Sequence, residues 1–86
     1  MSVHETTAPD GQRVAIGQIW ADNDWRSKGR TVRIVEIGAS RVTVETVTGV
    51  GGGPVLRPTR SRILLNRLRP TSTGYVFVSD SEYTDP

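Results

Sequence analysis

Residues 30–48 read RTVRIVEIGASRVTVETVT. Two runs rich in β-branched residues, 30–37 and 41–48, flank Gly38-Ala39-Ser40, a segment with the length and composition of a tight turn. The pattern predicts an antiparallel hairpin. In the second run Val42 and Val44 share one face, while Arg41, Thr43 and Glu45 share the other. That is the alternation of a strand with one side in a core and one in water. The alternation slips by one in both runs: Val35 and Ile37 break parity with Val32 and Ile34, and Val47 breaks parity with Val42 and Val44. A slip of this kind predicts a bulge or a sharp bend, and bent strands that serve two sheets are a feature of small barrels.

Upstream, Val14, Ile16 and Ile19-Trp20 predict a first strand, interrupted at Gly17. A polar loop follows at residues 21–29, ADNDWRSKG, with turn chemistry at Asp22-Asn23-Asp24. Downstream, residues 49–58, GVGGGPVLRP, hold four Gly and two Pro and predict a mobile loop. Residues 59–65, TRSRILL, predict a fourth strand. Residues 66–70, NRLRP, predict one helical turn stopped before its proline, and residues 75–79, YVFVS, a fifth strand. No segment has sustained helical period. This order predicts an all-β chain: a single small SH3-like five-stranded antiparallel barrel over residues 13–79, with a disordered tail at 1–12 and an acidic tail at 80–86. An OB-fold is the structural rival, but it would place a helix where this chain has its glycine-rich loop.

Three stretches, GQIWADND at 17–24, GRTVRI at 29–34 and RLRPTSTGY at 67–75, resemble small proteins encoded by actinobacteria and their phages. The resemblance covers roughly residues 14–78 and implies a phage or actinobacterial source. It carries no activity over. In layout the predicted barrel is also similar to KOW and other SH3-like nucleic-acid modules, a likeness of architecture that does not itself imply function.

Composition narrows the chemistry. The 86 residues contain no cysteine and a single histidine, His4, so disulfides, a catalytic thiol and a multi-histidine metal site are excluded within the chain. No apolar run approaches the ~18 residues of a membrane span, and no signal-peptide core follows Met1. The expectation is a cytoplasmic chain, in the host cytoplasm if phage-encoded. No enzyme is expected, because no nucleophile, base and oxyanion set can be assembled, and no cofactor or metal is expected either.

Charge points to partners. The net charge is +2, but all eleven basic residues lie within 13–78 beside four acids, a body of +7 between acidic ends. That asymmetry makes DNA or RNA a candidate partner. Ten of the eleven bases are arginine, which suits bidentate phosphate contacts and equally follows from GC-rich coding. Arg33, Arg41, Arg60 and Arg62 each oppose the apolar parity of their strands, so pairing of the second, third and fourth strands would gather them on one exposed face. That face reads as a nucleic-acid interface, or as an ordinary solvated face with ion pairs to Glu36 and Glu45.

Trp25, in a polar loop, is read either as a stacking residue or as a lid over the small core. Trp25, Arg26, Arg57 and Arg69 form an alternative surface for a host protein. A minor structural or assembly role is a third reading, and an exposed edge strand favours pairing of two copies. Asp22 and Asp24 suggest a cation site but lack the further acids of a calcium loop, so turn capping and pairing with Arg26, Lys28 or Arg30 is the simpler reading. Gly51-Gly52-Gly53 lacks the Gly-Lys-Ser/Thr ending of a phosphate loop.

Overall fold

A computed structural model describes residues 5–80. Within them the chain is all-β, with two antiparallel sheets and two single 3₁₀ turns. Strands β1 (Glu5–Thr7) and β2 (Arg13–Ala15) form a two-stranded sheet. Strands β3 (Ile19–Asp22), β4 (Thr31–Ile37), β5 (Arg41–Thr48), β6 (Arg60–Leu64) and β7 (Tyr75–Ser79) form a five-stranded sheet in the order β6-β5-β4-β3-β7. The 3₁₀ turn η1 (Trp25–Ser27) lies between β3 and β4, and η2 (Leu65–Arg67) follows β6. Among the described residues no helix is long and apolar enough to cross a membrane.

The parity slips have a physical counterpart. Ile34 pairs Val44 and Glu36 pairs Thr43, so Val35 is the extra residue of a bulge. Thr31 pairs Thr48 and Val32 pairs Thr46, which leaves Val47 as the extra residue on β5. The first bulge lets Ile34 and Ile37, three apart, both face inward. The core they join comprises Val14, Trp20, Val32, Val42, Val44, Leu68 and Tyr75, all buried. Trp20 meets Phe77 edge to face, centroids 5.7 Å apart and planes at 80°, a favoured aromatic geometry.

Two expectations are corrected. Residues 5–12 are not a tail: β1 pairs β2 through three residue pairs, and Ala8 at the hairpin turn is buried in the core. The hairpin forms because Asp10-Gly11 supplies its turn, with Gly11 at φ 93° and its N–H donating to the Ala8 carbonyl at 2.9 Å. Residues 1–4, with His4, and residues 81–86 of the expected acidic tail lie outside the described residues. The single first strand is two strands in different sheets, because Gly17 at φ 94° turns the chain between Val14 and Ile19.

The glycine-rich loop, expected to be mobile, is anchored at its base. The Gly51 N–H donates to the Lys28 carbonyl at 2.7 Å, and Gly49 and Gly53 close a turn at 2.9 Å. Gly29, at φ 94°, sits so close that a Cβ there would lie 2.6 Å from the Gly52 nitrogen. Gly29→Ala is expected to cost about 1.5 kcal/mol, from the left-handed backbone alone and before any loop displacement. Urea unfolding checks this; a loss below about 0.5 kcal/mol would mean that residue 29 does not hold the left-handed conformation.

Candidate nucleic-acid interface

The ladder registers place the sequence-predicted arginines. Residues directly opposite one another in antiparallel strands project from the same side of the sheet. Arg33 pairs Glu45, which pairs Arg60; Glu36 pairs Thr43, which pairs Arg62; Arg41 pairs Leu64. Arg33, Arg41, Arg60 and Arg62 therefore share one face of β4, β5 and β6, in three successive rows spaced about 6.7 Å apart by strand geometry.

The four are not electrostatically equal. Glu45 lies between two of them, its Oε1 accepting from Arg33 Nη2 at 3.1 Å and its Oε2 from Arg60 Nε at 2.9 Å. The hydrogen bond from Arg60, with the charges of Arg60 and Arg33, holds the Glu45 carboxyl below its ordinary pKa. This row carries a net +1 and is already ordered. Arg41 and Arg62 are exposed and make no ion pair among the described residues. Glu36 accepts from Thr43 Oγ1 at 3.4 Å rather than from an arginine. The face is thus one neutralising bracket and two exposed guanidinium groups.

Trp25 stands on a separate element, the η1 turn, and is 82% exposed, which corrects the reading of it as a lid over the core. The acidic cluster explains why the turn forms. Asp24 caps η1 by accepting from the Arg26 N–H at 3.0 Å, and its carboxylate grips the Arg26 side chain at 3.0 and 2.7 Å. Those bonds pull the Asp24 pKa down to about 2. Asp22 pairs with Arg30 at 3.1 Å. Asn23 ties the turn to the segment before β7, donating to the carbonyls of Gly74 at 3.0 Å and Thr71 at 2.9 Å. Both aspartates are thus engaged in capping and pairing, and no group of three potential metal ligands gathers among the described residues.

Of the alternative surface, Arg26 is held by Asp24, whereas Arg57 and Arg69 are exposed without an ion pair among the described residues. They lie on the β5–β6 loop and on the segment after η2, so the four residues of that surface come from three separate segments.

Two features escaped the sequence reading. Gln18 is fully buried, and its side chain bonds the β2 backbone, the Trp20 indole and Asp80; the signal was that it shares Trp20's inward parity. The second is a cavity of about 360 Å³ at the Leu64 end of the arginine face. Its walls come from the N-terminal hairpin, the β4–β5 turn and η2, segments that no local pattern joins.

The fold and face define a small all-β chain with a cation-bearing sheet surface. Comparison with protein-family models, with curated proteins and with solved structures finds no match.

Proposed function

We propose that the chain is a non-enzymatic module with an SH3-like barrel layout that binds nucleic acid through its arginine face. The layout is supported by the strand order, in which β3 to β6 run as a meander and β7 returns to pair β3, and by the η2 turn between β6 and β7. The binding reading rests on one observation: Arg41 and Arg62 are exposed, on one face, and unpaired among the described residues. Unpaired guanidinium groups lose little on meeting phosphate and release counterions from the nucleic acid, whereas Arg33 and Arg60 would have to exchange Glu45 for it.

The test is fluorescence anisotropy with labelled single- and double-stranded DNA and RNA at several salt concentrations. Saturable, salt-weakened binding is expected. The double change Arg41→Glu and Arg62→Glu is expected to weaken it at least tenfold, and to flatten the salt slope by about 1.4 on a single strand, the share of two phosphates. Absence of saturable binding at low salt overturns the reading.

A second reading is favoured by the 82% exposure of Trp25: a protein-interaction module for a host protein, anchored by that indole. Trp25→Ala would then abolish capture of the partner with little dependence on salt, while Arg41→Glu and Arg62→Glu would leave capture intact.

A further inference from the structure

The arginine face does not end at Arg41. Leu64 lies directly across the ladder from it, and Leu64 also lines the cavity of about 360 Å³. The other walls include Thr7, Ala39, Ser40, Leu65 and Asn66. Ala39 and Ser40 immediately precede Arg41, so two independent links, one along the chain and one across the sheet, set the cavity beside the exposed guanidinium. The cavity is shaped by backbone that is held in place: the Leu65 N–H donates to the Ser40 carbonyl at 2.9 Å, and the Gly38 N–H to the Arg41 carbonyl at 2.8 Å. Thr7 comes from the N-terminal hairpin, so one wall exists only because residues 5–15 are folded.

Its chemistry is mixed. Leu64, Leu65 and Ala39 supply apolar wall. The Ser40 hydroxyl and the Asn66 carboxamide are polar groups that make no side-chain hydrogen bond among the described residues. A carboxamide offers one donor and one acceptor side by side, the complement of a base edge. Aliphatic walls, uncommitted hydrogen-bonding groups and an adjacent cation offer a nucleotide unit one partner each for base, base edge and phosphate.

We infer that this cavity takes one unstacked base of a single-stranded nucleic acid, with the adjoining phosphates on Arg41 and Arg62. The inference rests on the nucleic-acid reading of the arginine face and adds to it the strandedness of the ligand. In a duplex each base is stacked and paired, and extruding one costs a few kcal/mol. A single strand presents its bases without that cost. The pocket therefore discriminates against duplex, whereas the arginines alone would accept either.

The experiment compares three fluorescein-labelled probes by anisotropy at one salt concentration: a mixed-sequence single-stranded 12-mer, the same strand with abasic sites throughout, and its duplex. The intact protein is expected to bind the 12-mer about tenfold more tightly than the abasic strand, a ratio equivalent to 1.4 kcal/mol, and more tightly than the duplex. Ala39→Leu, in an exposed turn, narrows the cavity without changing charge or adding a ring on which a base could stack. It is expected to bring the 12-mer down to the affinity of the abasic strand and to leave the abasic strand unchanged. Asn66→Ala is expected to act in the same direction by a smaller factor.

Equal affinity of the intact protein for the 12-mer and the abasic strand overturns the pocket while leaving the arginine face standing. Duplex bound as tightly as the single strand does the same. No saturable binding of any probe overturns both. Because the abasic comparison uses the unmodified protein, the inference stays testable even if Ala39→Leu does not fold.

Discussion

Gln18→Leu is expected to lower the stability of the chain by about 3 kcal/mol, a large fraction of what an 86-residue domain with a small core possesses. The side chain is 1% exposed, and its amide is spent in full. Its Oε1 accepts from the Ala15 N–H at 2.8 Å and from the Trp20 indole N–H at 3.2 Å. Its Nε2 donates to the Arg13 carbonyl at 3.1 Å and to Asp80 Oδ1 at 3.2 Å. Two donors on one side and two acceptors on the other fix the orientation of the amide.

Leucine has nearly the same volume, so no cavity is created. The loss comes from leaving two N–H groups, of Ala15 and of the Trp20 indole, buried without partners, at about 1–3 kcal/mol each and partly offset by the added apolar side chain; the Arg13 carbonyl keeps the Gln12 amide as a donor. Thermal unfolding should move down by about 12–20 °C, and near-ultraviolet circular dichroism should report a changed Trp20 environment. A loss under about 1 kcal/mol would mean that water reaches the freed groups and that Gln18 is not a buried junction.

The second large effect belongs to Asp22. Its carboxylate meets Arg30 Nη1 at 3.1 Å, with side chains 9% and 21% exposed. Arg30 reaches onward to the Tyr75 hydroxyl at 3.1 Å and Thr46 Oγ1 at 3.2 Å. Asp22 also accepts from the Asp24 N–H at 3.0 Å. The pair thus joins the β3–β4 loop to β5 and β7.

Asp22→Ala leaves a guanidinium half-buried without its counter-charge. The expected cost is about 2–3 kcal/mol, less than the 3–5 of a fully buried pair because Arg30 still touches water. Arg30→Met made together with Asp22→Ala should restore part of that loss, since the uncompensated charge is gone. Urea unfolding of the two single variants and the double variant measures the coupling. If the two losses add to within about 0.5 kcal/mol, the pair is not the joint described.

Neither Gln18 nor the Asp22–Arg30 pair touches the arginine face. Variants there should lose stability without losing affinity for nucleic acid at temperatures where they are folded. The reverse holds for Arg41 and Arg62: both are exposed on a solvated sheet face, and reversing their charge should leave the unfolding midpoint nearly unchanged.

Much of this chain was legible in its sequence because β-structure with a two-residue period writes itself locally. The central hairpin, the fifth strand at Tyr75–Ser79 and the common face of Arg33, Arg41, Arg60 and Arg62 follow from parity alone. So do the two bulges, since an extra residue must reverse the parity beyond it. What parity cannot carry is the partner of each outward side chain. That Glu45 takes both Arg33 and Arg60, leaving Arg41 and Arg62 uncommitted, depends on strand register.

The folding of residues 5–12 was hidden for a similar reason: a three-residue strand such as β1 is too short to show a period, and pairing with β2 stabilises it. Trp25 gave no local sign of its exposure. It is set by a turn that Asp24 caps and Asn23 anchors from 48 residues away. The cavity beside Leu64 is furthest from the sequence, because it is an open depression bounded by segments distant along the chain. Sequence alone determined the central hairpin and the strands that follow it, their faces and the sign of their charge; tertiary structure decided the N-terminal pairing, which charges stay free and what lies beside them, since these depend on distances between residues that only folding brings together.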